Sequence, residues 1–284
     1  MKVLVTGATG YIGSHLVKKL AQGGHKVYAT DFNLDQNDIS RYIEGNVLNW
    51  DIRHISHPVG EYDAVVHLAA KTMVSPSLKD PYNYYLTNIV GTQHVIDCTE
   101  TDHFLYCSTG SAFHPGSSPY ATSKRAGEDL VTLLPGHSIA RFYNVSGNDG
   151  FKKFDDSHYH LIRKLAAVVN GLYPHIEVFG TDYPTRDGTT IRNYTHISDI
   201  VDALYRMVEH GPTKSVECLG NVDGYSVLEV IRAMADATGT VLNVRLGNRR
   251  PGEVAVSSLP EQSKFFIETK SIQNLCLSAL EYER

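Results

Sequence analysis

The stretch Gly7-Ala8-Thr9-Gly10-Tyr11-Ile12-Gly13 constrains this chain more than any other. It follows the strand-like run Val3–Thr6 and opens a segment in which Ile12, Leu16 and Leu20 recur every four residues, the period of one helix face. A strand that turns through glycines into a helix begins a β-α-β unit, whose parallel strands need crossover connections and bury both sheet faces under helices. Glycine at such a junction permits a tight turn, close approach of backbone to a pyrophosphate and close helix packing, and the helix N-terminus offers its N–H groups to an anion. Gly7, Gly10, Tyr11, Ile12 and Gly13 are therefore read as a dinucleotide-phosphate loop.

The alternation continues through the first half. Lys26–Thr30, Ala64–Leu68, Phe104–Cys107 and Ile139–Phe142 are further candidate strands, Leu86, Ile89 and Val90 mark another apolar helix face, and Ser118–Leu134 is helix-like. This pattern predicts an α/β fold with a doubly wound parallel sheet. Only Asn33–Ser40 separates the second strand from Tyr42-Ile43, where the chain is expected to return to the sheet after about one turn of helix. Beyond Tyr143 the pattern predicts helices over 159–169, 198–209 and 227–238, strands over 176–179, 215–219 and 241–245, and a loop over Gly180–Gly188.

Composition narrows the function classes. Lys plus Arg number 26 against 31 Asp plus Glu, a net charge of −5, which leaves no cationic surplus for a polyanion, so nucleic acid is not an expected partner. No apolar stretch approaches the roughly 20 residues of a membrane span, and the opening MKVLVTG runs straight into a strand, so neither anchor nor signal peptide is expected. Cys98, Cys107, Cys218 and Cys276 lie far apart with no CxxC pair, which suggests reduced thiols and a cytoplasmic location. His54, His57, His158 and His160 lack a companion ligand set, so no metal is expected.

Asp31, 18 residues beyond Gly13 at the end of the second strand, can accept from an adenosine 2′-OH and would repel a 2′-phosphate, so NAD is favoured over NADP. Tyr120 and Lys124 are four residues apart and share a helix face. An ammonium beside a phenol, together with a positive nicotinamide ring, would favour phenolate, and such a tyrosine could take a hydroxyl proton while hydride leaves for the cofactor. Thr109, at the end of a candidate strand, is placed to converge with Tyr120 on one substrate oxygen at the carboxyl edge of the sheet.

With these residues the chain resembles the extended short-chain dehydrogenase/reductase family, and within it the UDP-glucose 4-epimerase branch. The likeness rests on GATGYIGSHL at 7–16, HLAA at 67–70, TNIVGT at 87–92, SPYATSK at 118–124, RFYN at 141–144 and FGTDYPTRDGTTIRNYTHISD at 179–199. It implies a Rossmann domain over 1–143 and a smaller nucleotide-sugar-binding α/β region over 144–284, with a segment near 190–210 returning to the first domain. It implies a resident NAD that interconverts UDP-glucose and UDP-galactose by transient C4 oxidation, rotation of the 4-keto sugar and re-reduction. Tyr120 would be the base, Lys124 its activator and Thr109 the partner of the sugar O4. Asn46, Val47, Leu68, Ala69, Ala70, Asn88 and Tyr143 match further cofactor positions. Asn144, Arg192 and Arg250 match diphosphate positions, Leu161 and Phe179 uracil positions, and Glu253 a ribose position. His160 stands where members carry asparagine or histidine. The resemblance also implies a homodimer through the helices over Leu86–Ile96 and Ser118–Leu134.

The chain departs from the family pattern in places. Thr72 replaces a lysine, with Lys71 one position early, Asn46 replaces an adenine-binding aspartate, and only ten residues separate Thr109 from Tyr120. Ser257 matches a position over the sugar 2-substituent, and its small size suggests that UDP-GlcNAc and UDP-GalNAc also enter. A 4-epimerase of a uronic acid or pentose nucleotide stays open. A 4,6-dehydratase would need an acidic pair where Gly110-Ser111 stand, and a non-enzymatic NAD sensor would be expected to lack Tyr120, Lys124 or the uridine-site residues.

Overall fold

Each inner strand of the first half is a short apolar run followed by a helix with one apolar face, so the chain winds back and forth across a single sheet. The computed structural model describes residues 1–32, 39–43, 47–55, 60–149, 160–222, 224–250, 253–257 and 261–281. The first half runs β1 (Lys2–Thr6), α1 (Tyr11–Gln22), β2 (Lys26–Asp31), α2 (Ser40–Ile43), β3 (Val47–Asn49), β4 (Gly60–His67), α3 (Val74–Lys79), α4 (Pro81–Tyr85), α5 (Gly91–Cys98), β5 (Thr99–Thr109), α6 (Pro119–Val131) and β6 (His137–Phe142). A π turn, Leu86–Val90, joins α4 to α5. The remainder runs β7 (Asn144–Ser146), α7 (Leu161–Val169), β8 (Ile176–Phe179), β9 (Ile191–Arg192), β10 (Tyr194–His196), α8 (Ile197–His210), β11 (Val216–Leu219), β12 (Tyr225–Ser226), α9 (Val227–Thr238), β13 (Val244–Gly247) and α10 (Ile272–Leu280).

The main sheet has seven strands in the order β11-β6-β5-β4-β1-β2-β3. The pairs β1–β2, β1–β4, β2–β3, β4–β5 and β5–β6 are all parallel. The winding direction reverses between β1 and β4, and the crevice outside the carboxyl ends of the strands at such a point is where open α/β sheets bind ligands. Beneath it Leu4, Val65, Phe104, Tyr106 and Ile139 from the sheet pack with Val95 and Val131 from α5 and α6.

The chain divides into two compact units. One comprises Met1–Phe142 and Val201–Glu217, the other Tyr143–Ile200 and Cys218–Arg284. In the second, β7 pairs with β10 and β8 with β13, both parallel, and β9 pairs antiparallel with β12. Its core joins Ile162 and Leu165 of α7, Ile176 and Val178 of β8, Val230 and Met234 of α9 and Leu275 of α10.

Three local expectations change. Tyr42-Ile43 belongs to α2, and the chain rejoins the sheet at Val47–Asn49. The buried residues Ile39 and Ile43 are four apart, a helical spacing too short to register as a period. Leu86, Ile89 and Val90 do not form the core face: the buried residues there are Asn88, Gly91, Thr92, Val95 and Cys98. The π turn inserts a residue into the helical register, and the space against α6 admits only small or hydrogen-bonded side chains. The last strand of the second half lies at Val244–Gly247, three residues later than its pattern suggested. All four cysteines are buried and free. Among the described residues no helix is long and apolar enough to cross a membrane, and no cluster could hold a metal ion.

Gly127 of α6 sits directly against Tyr106: a Cβ there would lie 2.1 Å from the phenol oxygen and 2.6 Å from Cζ. Tyr106 is fully buried and has nowhere to swing. Gly127→Ala should therefore destabilise the protein by about 1–3 kcal/mol, read as a lower urea midpoint; an unchanged midpoint would contradict the packing of α6 on β5.

His103 of β5 is buried, its Nε2 2.9 Å from Ser138 Oγ, which also accepts from the Thr213 N–H at 2.9 Å. Burial pushes its pKa down to about 4. The folded protein keeps the ring neutral while the unfolded chain binds a proton below about pH 6.5. This contribution is complete above that pH and is lost, by about 3 kcal/mol, as pH falls toward the folded value. In His103→Gln the urea midpoint should fall less steeply between about pH 6.5 and 4 than in the wild type; parallel slopes would show that His103 does not carry the proton linkage.

Candidate active site

The carboxyl ends of β1, β2, β4 and β5 bring four segments to one edge. Gly7 follows β1 with φ +67°, and a Cβ on it would stand 2.7 Å from the Ala69 N and 2.9 Å from the Leu68 carbonyl carbon. Only glycine lets the extension of β4 through Leu68, Ala69 and Ala70 lie this close to the loop. A Cβ on Gly13 would stand 2.1 Å from the Gly7 oxygen, so the first turn of α1 also packs directly on the loop. α1 starts at Gly10 with no side-chain cap and no acidic residue in its first turn, where Tyr11 and Ile12 lie. The N–H groups of that turn are the donors a pyrophosphate needs.

Asp31 ends β2. Its carboxylate accepts from the Thr9 N–H at 3.1 Å, the Thr9 hydroxyl at 2.7 Å and the Phe32 N–H at 2.8 Å, which ties it to the glycine loop. A carboxylate has about four lone-pair sites, so capacity remains for a ribose hydroxyl. The donor turn, the glycine cradle and this acceptor together fit NAD. Val47 begins β3, beside Ala29. Asn46 lies outside the described residues.

Thr109 ends β5, and Ser118 caps α6 by accepting from the Ala121 N–H, with Pro119 in the first turn. The shortened connection is taken up by two 3-10 turns, Gly110–Phe113 and Pro115–Ser117. The Thr109 hydroxyl lies close enough to the Tyr120 phenol to act on it, drawing its pKa down. Because the Ser111 N–H donates to Thr109 Oγ1, the threonine proton is available for the phenol. Tyr120 also meets the edge of the Tyr84 ring, with centroids 6.2 Å apart.

Lys124 is buried, donates from Nζ to the Cys107 carbonyl at 2.8 Å and lies 4.2 Å from the centre of the Tyr106 ring. Burial pulls its pKa down to about 8 and pushes that of Tyr120 up to about 12, against the lowering effect of Thr109. The lowering of the phenol expected from the lysine does not appear: burial sets the Tyr120 shift, and the ammonium is committed to the Cys107 carbonyl and the Tyr106 ring.

Asn88 sits in the π turn, fully buried. Its Oδ1 accepts from the Lys71 N–H at 2.8 Å, and its Nδ2 donates to the Lys71 carbonyl at 3.0 Å and to Ser123 Oγ at 2.9 Å. The amide thus joins the segment after β4 to α6, and its side chain is spent on protein partners. Below Thr109, Glu128 of α6 accepts from the Ser108 hydroxyl at 2.5 Å and from Arg141 Nε at 2.7 Å, with a second bond from the same guanidinium. A buried carboxylate is tolerated only when paired and hydrogen-bonded in this way. This pair fixes the strand end that carries Thr109.

In the second unit, Arg192 donates to the Ile191 and Val254 carbonyls at 2.8 Å and to the Glu253 carboxylate at 3.2 Å. The Glu253 N–H donates to the Arg250 carbonyl at 3.3 Å, and the Arg250 guanidinium lies 3.8 Å from the centre of the Phe179 ring. Four candidate residues are therefore linked in one chain of contacts. Ser257 donates its N–H to the Ile191 carbonyl at 3.1 Å. Asn144 is held by an N–H bond to the Asn193 carbonyl at 3.1 Å, directly after Tyr143. His160 is exposed ahead of α7, and Leu161 is its first residue, partly buried against the core.

The residues that sequence reading overlooked are polar side chains engaged within the protein: the buried Ser123, Glu128, Arg141 and Asp199, and the partly buried Asp187. Asp187 accepts from the Thr189 N–H at 2.9 Å and from Ser226, and Asp199 accepts from the Thr269 and Lys270 N–H groups at 3.1 and 3.3 Å. Much of the segment 179–199 is thus framework. A polar side chain at an inward helical position was the available signal for Glu128, but burial has to be known to give it weight.

The sequence model of the NAD dependent epimerase/dehydratase family matches residues 3–218. The UDP-glucose 4-epimerase of Halalkalibacterium halodurans is 30% identical over 290 residues, covering 90% of this chain and 86% of that protein. A crystal structure of UDP-glucose-4-epimerase from Stenotrophomonas maltophila, with bound NAD and formylated UDP-arabinopyranose, superposes with a TM-score of 0.86 at 26% identity, covering 100% of this chain and 98% of that one. The UDP-Glc/GlcNAc 4-epimerase of Campylobacter jejuni gives a TM-score of 0.78 at 26% identity over 99% and 98% of the two chains. These likenesses identify NAD as the cofactor, and the chain belongs to the NAD dependent epimerase/dehydratase family.

Proposed function

We propose that the protein is an NAD-dependent 4-epimerase of UDP-sugars that interconverts UDP-glucose and UDP-galactose. The observation that carries this reading is the Thr109 hydroxyl beside the buried Tyr120 phenol, on which it acts, at the carboxyl end of β5, on the edge that also holds the glycine loop. NAD, when bound, supplies the hydride acceptor and a positive ring that favours phenolate. Tyr120 takes the proton from the sugar O4 and later returns it, and Thr109 holds that oxygen in line with the phenol. Lys124 adds positive charge from a fixed anchor on Cys107, and Asn88, Glu128 and Arg141 hold the elements on which these groups stand.

The nucleotide is assigned to the second unit. Arg192, Arg250 and Asn144 take the diphosphate, as planar guanidinium groups suit its oxygens. Phe179, Leu161 and His160 surround the uracil and Glu253 takes the ribose. Arg250 stacked on Phe179 supports this, since it keeps a cation beside an aromatic face suited to a base. Ser257 leaves room at the sugar 2-substituent, so UDP-GlcNAc and UDP-GalNAc are included as substrates. The reading extends to a homodimer, supported by the exposed Tyr82, Tyr85 and Val90 along α4 and the π turn, and to a cytoplasmic location, in keeping with four buried, free cysteines.

Proton NMR of the anomeric region tests this with UDP-galactose and UDP-GalNAc in separate tubes. Both should convert to their gluco epimers, and Tyr120→Phe should lower kcat by about 100-fold or more, the scale of a lost general base. Conversion of UDP-galactose alone would remove the Ser257 assignment. Conversion of neither, with NAD supplied, would overturn the proposed substrate and point to a pentose or uronic acid nucleotide.

A further inference from the structure

Between the glycine loop and the helix of Tyr120 runs a line of buried polar side chains, of which only Asn88 and Ser123 have been given a part above. Thr6, His67, Thr92, Asn88 and Ser123 are each at most 1% exposed. Thr92 donates its single hydroxyl proton to the Asn88 carbonyl at 2.8 Å. Thr92 Oγ1 lies 3.0 Å from His67 Nε2, and with its proton spent it can only accept there. His67 therefore carries its hydrogen on Nε2, and Nδ1 is the acceptor. The Thr6 hydroxyl, 2.7 Å from Nδ1, supplies that proton. Thr6 Oγ1 in turn accepts from the Ala69 N–H at 3.1 Å.

The bonds all point one way, from the Ala69 amide through Thr6, His67 and Thr92 to the Asn88 carbonyl. The Asn88 amide then grips Lys71 on both backbone groups and Ser123, whose hydroxyl donates to the Tyr120 carbonyl at 2.8 Å. One continuous line thus joins the end of β1, the extension of β4, the π turn and the start of α6. The groups facing the imidazole are the Phe104 and Tyr106 rings of β5, with centroids 5.9 and 5.7 Å away, and the Lys124 ammonium of α6. Burial, with Lys124 beside it, pulls the His67 pKa down to about 3, which favours the neutral ring at neutral pH. The Tyr106 phenol, also beside Thr92, donates its one proton to the Lys124 carbonyl at 3.5 Å and so offers Thr92 none.

We propose that His67, held as the neutral Nε2–H tautomer, is a positioning residue that sets the cofactor wall and the catalytic helix relative to each other. On one side it fixes Ala69 against Gly7, and on the other it fixes the turn whose Asn88 holds Lys71 and the first turn of α6. The inference rests on the reading of Thr109, Tyr120 and Lys124 as the active site, but its binding consequences concern NAD alone. Breaking the line at Thr92 takes from the buried His67 Nε2 its hydrogen-bond partner, an effect on the scale of tenfold in an equilibrium constant.

The test compares wild type, Thr92→Val and Thr92→Ser, all loaded with NAD. Two-bond ¹⁵N–¹H correlation of the wild-type imidazoles should show His67 as a neutral ring protonated on Nε2 throughout the neutral pH range. Release of radiolabelled NAD should be about tenfold faster from Thr92→Val, with kcat reduced about tenfold and KM for the UDP-sugar within about twofold; Thr92→Ser should restore all three to within about twofold. An Nδ1–H tautomer would overturn the proposal. So would a Thr92→Val protein of lower thermal stability but unchanged NAD release and kcat, because that marks a structural role only. Should Thr92→Val fail to fold, the wild-type tautomer decides. If no UDP-sugar is turned over, NAD release and the tautomer still decide this inference separately from the proposed activity.

Discussion

The approach of the Ala69 backbone to Gly7 is the contact on which the site depends. A methyl group at Gly7 would stand 2.7 Å from the Ala69 nitrogen, inside any normal van der Waals distance, so the loop after β1 and the extension of β4 exist in this arrangement only because residue 7 has no side chain and adopts a positive φ. Everything on the carboxyl edge is then measured from that contact. Asp31 is tied to the loop through Thr9, and Lys71 is held by Asn88, which reaches Ser123 of the catalytic helix. Glycine, commonly explained by the ligand it admits, here also admits the neighbouring strand.

Placing reactive groups in a dry site costs solvation, and the protein offsets that cost with paired polar groups. Glu128 and Arg141 neutralise each other beneath Thr109, and the lysine finds a carbonyl and an aromatic face. The phenol of Tyr120 is left with a pKa raised to about 12 by its burial. The unliganded protein therefore holds Tyr120 as a neutral phenol, and in the proposed reaction the positive nicotinamide ring would supply the charge that favours phenolate.

The parts of this account that were legible in the sequence are those written in local spacing. The glycine loop, Asp31 at the next strand end, and Tyr120 four residues before Lys124 all depend on positions along one element or two adjacent ones. The strand at Val47–Asn49 was missed because Ile39 and Ile43 signal a helix too briefly to show a period. The inward face of the helix near Asn88 was missed because a π turn breaks the period on which the reading relied. Long-range polar bonds such as Ser108–Glu128–Arg141, and the sign of the shift at Tyr120, follow from burial, which no local pattern reports.

The central claim is that C4 inverts by removal and return of one hydrogen that never leaves the enzyme, with Tyr120 moving only the hydroxyl proton. UDP-galactose carrying deuterium at C4, converted in ordinary water, tests it directly. The account predicts UDP-glucose that retains the full deuterium content at C4. Washout of deuterium into solvent would show that C4 is deprotonated, and would contradict the assignment of Tyr120, Thr109 and the NAD site to hydride chemistry.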